Sequence, residues 1–281
     1  MNAPPAAPST VWSLAGRSAL VTGGGSGLGL AFAEALAEAG AAVTIADIAA
    51  DRAEQAAQRL MAAGYNVVGS CVDVCDRATL HEVFEAHIAR FGGLESVFCN
   101  AGIDSGTGVW NPAGHRNAAG QIDMLADADW DSTIATNLTG VFNTLKGAAR
   151  VMKAHGIRGS IVVTSSNAAF TVAPMAGTAY MPAKAAVSHL MRSAALELAA
   201  WGIRVNAIAP GPFATRIGGG GVIDDPQVRS AWDALIPLGP MASPERIKPL
   251  AVFLASDASD YMTGSEVVID GGMSLGRPMP R

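Results

Sequence analysis

The sequence has little cysteine and no long apolar run. Cysteine occurs only at Cys71, Cys75 and Cys99, and an odd, low count argues against a disulfide framework and fits a reducing compartment. No apolar stretch is long enough to cross a bilayer. Residues 1–10 lack the basic and apolar regions of a signal peptide. We therefore expect a cytoplasmic protein that does not associate with membranes.

Metal-binding and nucleic-acid-binding patterns are also missing. The five histidines form no His-Glu-x-x-His arrangement, and no partner follows Cys71 and Cys75 at zinc-finger spacing. Charged residues make up only 15% of the chain, and the net charge of −5 provides no general attraction to nucleic acid. We predict no metal site and no nucleic-acid partner, which leaves small molecules as the expected ligands.

Half of the residues are hydrophobic, which is enough for a large core. Short β-rich runs alternate with longer amphipathic stretches, a pattern typical of a parallel sheet covered by helices on both faces. We predict one α/β domain with a doubly wound parallel β-sheet (a Rossmann fold) over residues 13–281, after a loose tail at 1–12. Strands are predicted at Ala19–Thr22, Ala42–Ala46, Asn66–Val72, Ser96–Cys99, Ile161–Ser165, Arg204–Ala209 and Glu266–Ile269. Helices are predicted at Leu28–Ala39, Asp51–Ala63, Thr79–Phe91, Trp130–Ala154 and Tyr180–Trp201.

Two long segments interrupt this alternation, each after the carboxyl end of a strand. Residues 104–121 form a polar insertion, and residues 212–244 include four consecutive glycines at 218–221. Ligands bind at the carboxyl ends of strands in such sheets, and long loops there are usually functional or disordered. We interpret 212–244 as a substrate lid, with plain disorder as the alternative.

A glycine cluster separates the first predicted strand from the first predicted helix. Glycine allows a tight turn and a close approach of the backbone to a phosphate, and the helix N-terminus then offers unpaired N–H groups to a pyrophosphate. Gly-Lys-Ser/Thr is absent, which argues against a nucleotide-triphosphate loop. The frame also fails Gly-x-Ser-x-Gly, so Ser26 is not a hydrolase nucleophile. The predicted pyrophosphate contacts are Gly23, Gly25, Ser26, Gly27 and Leu28.

Acidic residues end the second and third predicted strands. Asp47 lies eighteen residues after Gly29, where a carboxylate binds the adenosine ribose and repels a 2′-phosphate. No arginine or lysine sits beside Asp47 or in the glycine turn, so NAD(H) is predicted over NADP(H). Asp73 is expected near the adenine amino group. The alternative is a helix cap for Asp47, and a helix cap or a turn residue for Asp73. The neighbouring Ile48 and Val74 are counted as cofactor contacts.

Tyr180 and Lys184 lie four residues apart and share one face of a predicted helix. A phenol is a poor base at neutral pH because its free pKa is about 10. A fixed ammonium beside it favours the phenolate. With three tyrosines and four lysines in the chain, a chance match has odds of about one in twenty-five. The alternative is a surface tyrosine beside a solvated lysine. The interpretation of Tyr180 and Lys184 as an active pair therefore depends on the other motifs.

In this order, the motifs resemble those of the single-domain short-chain dehydrogenase/reductase family, over residues 14–273. The family's serine usually lies thirteen residues before its tyrosine, where this chain has Asn167. One extra loop residue would put Ser166 in that role, ahead of Ser165. Besides the glycine turn, Tyr180 and Lys184, the matching residues are Asn100-Ala101-Gly102, Asn137, Ser166, Pro210-Gly211, Thr215 and Asp270-Gly271-Gly272.

The resemblance implies NAD(H)-dependent hydride transfer between a secondary alcohol and its ketone. Tyr180 would exchange the hydroxyl proton, Lys184 would stabilise the phenolate and hold the nicotinamide ribose, and Ser166 would bind the substrate oxygen. Asn137 would hold a water linked to Lys184, although it could also kink its helix. Other implied cofactor contacts are Asn100, Ala101, Gly102, Pro210, Gly211, Phe213 and Thr215. A homotetramer is implied, with a dimer as the alternative.

The presumed substrate pocket is rich in apolar residues and contains no arginine cluster. We therefore expect an apolar or ring-bearing alcohol rather than a small carboxylate or phosphate. Residues 166–170 are similar to the same segment of aromatic cis-dihydrodiol dehydrogenases. A 3-oxoacyl-thioester reductase is another candidate, and a non-catalytic dinucleotide-sensing protein is the candidate of a different class. The apolar residues concerned are Phe170, Val172, Met175, Phe213 and Ile217.

Overall fold

The computed structural model describes residues 10–105, 107–111, 114–217 and 224–276. Most of the expected tail at 1–12 and the glycine run at 218–221 lie outside these residues. Two residues counted with the tail contact the body of the protein: Val11 O accepts a hydrogen bond from Ala258 N, and the ring of Trp12 packs 5.6 Å from that of Phe253.

Seven parallel strands form one sheet in the order β3-β2-β1-β4-β5-β6-β7. The strands are β1 (Ser18–Thr22), β2 (Ala42–Asp47), β3 (Val67–Cys71), β4 (Ser96–Cys99), β5 (Ser160–Thr164), β6 (Arg204–Pro210) and β7 (Glu266–Ile269). All seven predicted strands are present, and the doubly wound fold is confirmed. The strand order reverses between β1 and β4, and this switch point opens a crevice at their carboxyl ends.

Helices cover both faces of the sheet. They are α1 (Gly27–Glu38), α2 (Ala50–Ala62), α3 (Arg77–Phe91), α4 (Asp127–Ile134), α5 (Val141–Ala154), α6 (Tyr180–Leu198), α7 (Pro226–Asp233) and α8 (Lys248–Ala255). One apolar core lies between the sheet and α1, α2 and α8, around Phe32 and Leu254; the other lies under α3, α5 and α6, around Phe84 and Met191. Every residue of β1, β4 and β5 is buried, as expected for strands covered on both faces. No described helix combines the length and apolarity that a membrane span requires.

The long helix predicted at Trp130–Ala154 contains an irregularity that the sequence pattern did not indicate. It begins at Asp127, and a π-helical turn over Ala135–Gly140 separates α4 from α5. Apolar periodicity cannot distinguish this turn from α-helix, because one wider turn barely changes which face is buried. The turn contains Asn137, which the sequence analysis places in the functional site.

The described residues of the two interrupting segments contain local secondary structure. Residues 104–121 include an isolated antiparallel bridge between Trp110 and Arg116 and a 3₁₀ turn at Ala118–Gly120. The 212–244 segment contains α7, whose first turn is capped by Asp225 through hydrogen bonds from Gln227 N and Val228 N. Its role as a lid stays a prediction.

A buried histidine joins α3 to the amino-terminal half of the sheet. His87 is 1% exposed, and its Nδ1 and Nε2 lie 2.8 Å from Thr44 Oγ1 and 3.0 Å from Ser18 Oγ. Glu95 accepts a 2.7 Å hydrogen bond from Ser18 N. Burial lowers the pKa of His87 to about 4, against the opposing effect of a hydrogen bond with the Gly93 backbone. The imidazole is therefore neutral in the folded protein at neutral pH.

We predict that His87 makes the protein sensitive to acid. In the unfolded chain, His87 takes up a proton as the pH falls below its ordinary pKa of 6.5. In the folded protein it takes up that proton only near pH 4. Stability is therefore lost as the pH falls from 6.5, by about 2 kcal/mol at pH 5. Urea unfolding at pH 7.5 and pH 5 should show a smaller acid-induced loss in His87→Gln than in the wild type. His81→Gln, at an exposed site on the same helix, is the control; equal losses in all three proteins would contradict the prediction.

Candidate active site

One asparagine side chain connects three strands at the switch point. Asn100 Nδ2 donates to the carbonyls of Thr22 (3.1 Å) and Gly23 (3.2 Å), where β1 ends. Asn100 Oδ1 accepts a 3.1 Å hydrogen bond from Thr164 Oγ1, at the end of β5. Because Asn100 itself follows β4, this one amide sets the relative positions of three carboxyl ends.

The glycine turn requires glycine for steric reasons as well as conformational ones. Gly23 and Gly27 have φ values of 63° and 54°, in the left-handed region that other residues avoid. A Cβ on Gly29 would lie 2.0 Å from Gly23 O and 2.5 Å from Asn100 Nδ2. The Ser26 side chain does not cap α1, which leaves first-turn N–H groups available to an anion. A cavity of about 390 Å³ lies over this helix end and extends to Thr215.

Asp47 contacts the same turn from the end of β2. The carboxylate is 5% exposed; Oδ2 accepts from Gly25 N at 3.0 Å and Oδ1 from Ala49 N at 2.9 Å. Helix α2 begins with Ala49 as its N-cap and has no side-chain cap, so Asp47 does not cap it. The prediction that no arginine lies beside Asp47 holds for its neighbours along the chain but is wrong for its neighbours in the folded protein. Arg52 Nη2 is 3.5 Å from Asp47 Oδ1, because the first turn of α2 brings residue 52 back over the end of β2.

The other adenine-side candidates lie at the ends of β2 and β3. Ile48 is 64% exposed. Val74 is buried, and its side chain lies so close to Gly140 that a Cβ there would collide with it. Asp73 is exposed, and its Oδ1 accepts from Cys75 N at 2.8 Å. Asp76, not Asp73, caps α3. The Asp73 carboxylate is therefore in a local turn beside Asp47's strand.

The structure brings Tyr180, Lys184 and Ser166 together at the start of α6. Lys184 is 2% exposed; its Nζ lies 5.5 Å from the centroid of the Tyr180 ring and donates to Thr164 O at 2.8 Å. The Ser166 side chain forms a hydrogen bond with Tyr180. The neighbouring Ser165 instead forms a 2.7 Å hydrogen bond with Ser188. The phenol, the ammonium and one hydroxyl thus form a compact cluster.

Burial dominates the acid–base properties of this cluster. It raises the pKa of Tyr180 to about 12, opposed by the hydrogen bond to Ser166 and assisted by the negative charge of Asp104. It lowers the pKa of Lys184 to about 8, opposed by Asp104. The groups that act on the pKa of Tyr180 besides burial are Ser166 and Asp104, while Lys184 Nζ donates to Thr164 O. Stabilisation of the phenolate by Lys184 stays a prediction.

Asn137 binds the chain segment that follows the Asn-Ala-Gly motif. It is fully buried in the π-helical turn; its Oδ1 accepts from Ile103 N at 2.8 Å and its Nδ2 donates to Ile103 O at 2.7 Å. A Cβ on Gly102 would lie 3.2 Å from Asn137 Oδ1 and 3.6 Å from Lys184 Nζ. The Asn137 side chain, which lies in the π-helical turn, thus holds the segment after Gly102 against Lys184.

The remaining candidates line the carboxyl edge of the sheet. Ala101 N donates to Thr22 Oγ1 at 3.3 Å, and a Cβ on Gly211 would lie 2.5 Å from that of Asp270. Phe213 is 8% exposed and packs against the core, and its contact with the cofactor or substrate stays a prediction. Pro210 ends β6. Phe170, Val172 and Ile217 are exposed, so a substrate could pack against their side chains.

One titratable group in this site, Asp104, is not indicated by any sequence motif. Asp104 Oδ1 accepts a 3.0 Å hydrogen bond from Gly177 N, three residues before Tyr180. Burial raises the pKa of Asp104 to about 6, opposed by the Gly177 hydrogen bond and by Lys184. No motif includes this position, and its place at the start of a polar insertion made it look like a loop residue. Among the described residues, no group of three or more histidines, cysteines or carboxylates could hold a metal ion.

These residues fit a dinucleotide. The close packing at Gly29, the uncapped start of α1 and the Asp47 carboxylate together provide a backbone cradle for phosphates and an acceptor for ribose hydroxyls. Tyr180, Lys184 and Ser166 lie on the other side of the switch point, where a nicotinamide and a substrate would meet. The arrangement suits proton exchange beside a redox cofactor.

Comparison with known proteins gives the class. A model described as enoyl-(acyl carrier protein) reductase matches residues 23–274. The chain belongs to the short-chain dehydrogenase/reductase family, whose members bind a nicotinamide dinucleotide. It is thus an oxidoreductase that acts on CH–OH groups.

Individual relatives cover nearly the whole chain. It is 38% identical to cis-4-hydroxycyclohexanecarboxylate dehydrogenase of Sinomonas cyclohexanicum, over 92% of this chain and 97% of that one. It is 36% identical to 2,5-dichloro-2,5-cyclohexadiene-1,4-diol dehydrogenase of Sphingobium indicum, over 94% and 98%. A solved gluconate 5-dehydrogenase of Burkholderia cenocepacia, in complex with NADP and tartrate, matches with a TM-score of 0.84 at 31% identity, over 95% of this chain and 98% of that one.

We predict that Gly29→Ala weakens cofactor binding at least tenfold. The new Cβ would displace Gly23 O or Asn100 and distort the turn, a strain of about 1–3 kcal/mol. Fluorescence titration with NADH and NADPH measures the effect. Gly64→Asn is the control, because residue 64 has φ 93° with nothing within 4 Å of a Cβ and asparagine tolerates that conformation. Unchanged affinity in Gly29→Ala would refute the steric argument.

Proposed function

We propose that this protein is an NAD(H)-dependent dehydrogenase that interconverts a ring-bearing secondary alcohol and its ketone. The observation that carries the proposal is the cluster of Tyr180, Lys184 and Ser166 across the switch point from the glycine turn. The ring-bearing substrate class is supported by two relatives named for cyclohexane or cyclohexadiene alcohols. It is also supported by the exposed apolar side chains of Phe170 and Val172.

Each residue of the cluster has a distinct part in this reaction. Tyr180 takes the hydroxyl proton during oxidation and returns it during reduction, while Ser166 orients the substrate oxygen through its own hydroxyl. Lys184 provides the positive charge beside the phenol and binds ribose hydroxyls. Asn137 keeps the segment after Gly102 in place and holds a water that connects Lys184 to solvent. A bound oxidised nicotinamide would supply the hydride acceptor and a positive charge beside these side chains.

The pKa of Tyr180, raised to about 12 by burial, bears on the direction of the reaction. The protein alone keeps the phenol protonated at neutral pH, which is the form needed to reduce a ketone. Alcohol oxidation needs the phenolate, so its rate should increase with pH. Reduction near neutral pH and oxidation in alkaline buffer are the conditions under which activity is best sought.

The cofactor preference depends on Asp47. A buried carboxylate that already binds Gly25 N offers its remaining lone pairs to the ribose hydroxyls and repels a 2′-phosphate. Arg52 opposes this preference, because its guanidinium lies 3.5 Å from the carboxylate and suits phosphate. We infer that Asp47 holds Arg52 in an ion pair and that NAD(H) is preferred. The remaining cofactor contacts are proposed at Gly23, Gly25, Ser26, Gly27, Leu28, Ile48, Asp73, Val74, Asn100, Ala101, Gly102, Pro210, Gly211, Phe213 and Thr215.

We further propose a cytoplasmic homotetramer, with a dimer as the alternative. Helices α4, α5 and α6 present apolar side chains to solvent, among them Trp130 (41% exposed), Phe142 (39%) and Leu196 (84%). Such side chains on neighbouring helices are typical of subunit contacts. A second candidate activity is reduction of a 3-oxoacyl thioester. The matching family model is described as an enoyl-(acyl carrier protein) reductase, which supports an acyl thioester as substrate but names reduction of a C=C bond rather than of a ketone. A panel of cyclic alcohols, ketones and 3-oxoacyl thioesters, each assayed with NAD(H) and NADP(H), separates the two activities.

We predict that Tyr180→Phe lowers turnover about a thousandfold, because the proton has no other carrier. Binding of NADH should stay within about twofold, since the ring keeps its shape. Steady-state kinetics and fluorescence titration measure the two effects. Tyr261→Phe, at a fully exposed position, is the control. Full activity in Tyr180→Phe would remove the basis of the mechanism.

We predict that Asp47→Ala shifts the ratio of kcat/KM for NADP over NAD upward at least tenfold. The change removes the repulsion of a 2′-phosphate and releases Arg52 to bind it. The double variant Asp47→Ala/Arg52→Ala should lose affinity for NADH without gaining NADPH, as measured by direct titration. If both variants keep the wild-type ratio, the ribose contact lies elsewhere.

A further inference from the structure

Asp104 is a carboxylate in the site to which the proposed reaction gives no role. Its Oδ1 accepts from Gly177 N at 3.0 Å, and Gly177 O accepts from Tyr180 N at 3.0 Å. The carboxylate therefore stands beside the loop from which α6 and the reactive phenol begin. Its negative charge acts on both Tyr180 and Lys184. Asp104 thus lies close to the two side chains of the proposed acid–base pair.

The second oxygen of this carboxylate has spare acceptor capacity. Within residues 10–105, 107–111, 114–217 and 224–276, Asp104 Oδ2 accepts no hydrogen bond, and no cation lies within ion-pair distance of either oxygen. A carboxylate can accept about four hydrogen bonds. Asp104 Oδ2 is not among the buried polar atoms without a partner in the described residues, so it is open to a donor from the substrate.

We infer that Asp104 binds a second hydroxyl group of the substrate, so that the preferred substrates are neutral diols or polyols rather than simple alcohols. The inference rests on the proposed alcohol dehydrogenase activity. One hydroxyl of the diol would lie against Tyr180 and Ser166, and the other would donate to the free oxygen of Asp104. A hydrogen bond to a charged acceptor is about twice as strong as a neutral one.

The surroundings of Asp104 exclude other partners. An anionic substrate group would be repelled by the carboxylate. A substrate ammonium would be placed near Lys184, whose positive charge already acts on Asp104. A metal ion would lack ligands, because no cluster of three ligating side chains is found among the described residues. A neutral hydroxyl donor is the group that fits, and the 1,4-diol named for one relative belongs to that chemical class.

The test compares diols with a matched monoalcohol. The kcat/KM for 1,2-, 1,3- and 1,4-cyclohexanediol is divided by that for cyclohexanol, so that cofactor binding and proton transfer, which the substrates share, cancel in the ratio. In the wild type, at least one diol should exceed cyclohexanol. In Asp104→Asn this advantage should fall about tenfold, through KM rather than kcat. The amide keeps an acceptor for Gly177 N, so the loop is preserved, and Asp123→Asn at an exposed site two residues after the insertion is the control.

The pH dependence of the same ratio adds a second readout. Burial raises the pKa of Asp104 to about 6, so the diol advantage of the wild type should decrease as the pH falls through about 6 and the charge is lost. The groups that act on this carboxylate are Gly177 N, Lys184 and Tyr180. Neither of the two side chains titrates in that range, because their pKa values are about 8 and about 12. In Asp104→Asn the ratio should not change with pH.

The outcomes distinguish this inference from the proposed function. A wild type that is inactive on every alcohol with both cofactors would refute the dehydrogenase activity itself. An active wild type without a diol advantage, or one whose advantage survives in Asp104→Asn, would refute the diol contact alone. Equal losses on diol and cyclohexanol would show that Asp104 acts only by holding Gly177, and would also overturn the inference.

Discussion

The site depends on the hydrogen bonds that Asn100 forms at the switch point. Its amide donates to the end of β1 and accepts from Thr164, and the Thr164 carbonyl accepts from Lys184. One continuous chain of hydrogen bonds therefore runs from the glycine turn to the proposed catalytic lysine. The same amide explains why residue 29 must be glycine, since any Cβ there would collide with it. The cofactor cradle and the acid–base cluster are thus positioned by one side chain.

Desolvation is the second organising effect, and it acts on every titratable group near the substrate. The pKa of Tyr180 rises to about 12, that of Lys184 falls to about 8 and that of Asp104 rises to about 6, each because burial disfavours the charged form. At pH 7 Lys184 and Asp104 still carry their charges and Tyr180 is neutral, but the pKa values of Lys184 and Asp104 lie closer to neutrality than their ordinary values. Ligand charge and ligand hydroxyl groups then have large effects, because few waters compete with them.

The ion pair between Asp47 and Arg52 is a contact that could not be predicted from spacing along the sequence. Asp47 was recognised from its position at the end of a predicted strand, and the structure places it against the glycine turn as expected. Arg52 was overlooked because five residues separate it from Asp47 along the chain, and the return of α2 over β2 shortens that separation to an ion-pair distance of 3.5 Å. Asp104 was missed for a similar reason, because its partner Gly177 is 73 positions away.

The sequence by itself determined the alternation of strands and helices, the fold class and the family. These follow from local periodicity and from motifs whose residues are close together, such as the glycine turn and Tyr180 with Lys184. Tertiary structure decided how burial changes the pKa of Tyr180, which serine contacts it, where the helix containing Asn137 becomes π-helical and which charges surround Asp47 and Asp104. Those properties depend on desolvation and on contacts between distant segments, and neither quantity can be read from spacing along a chain.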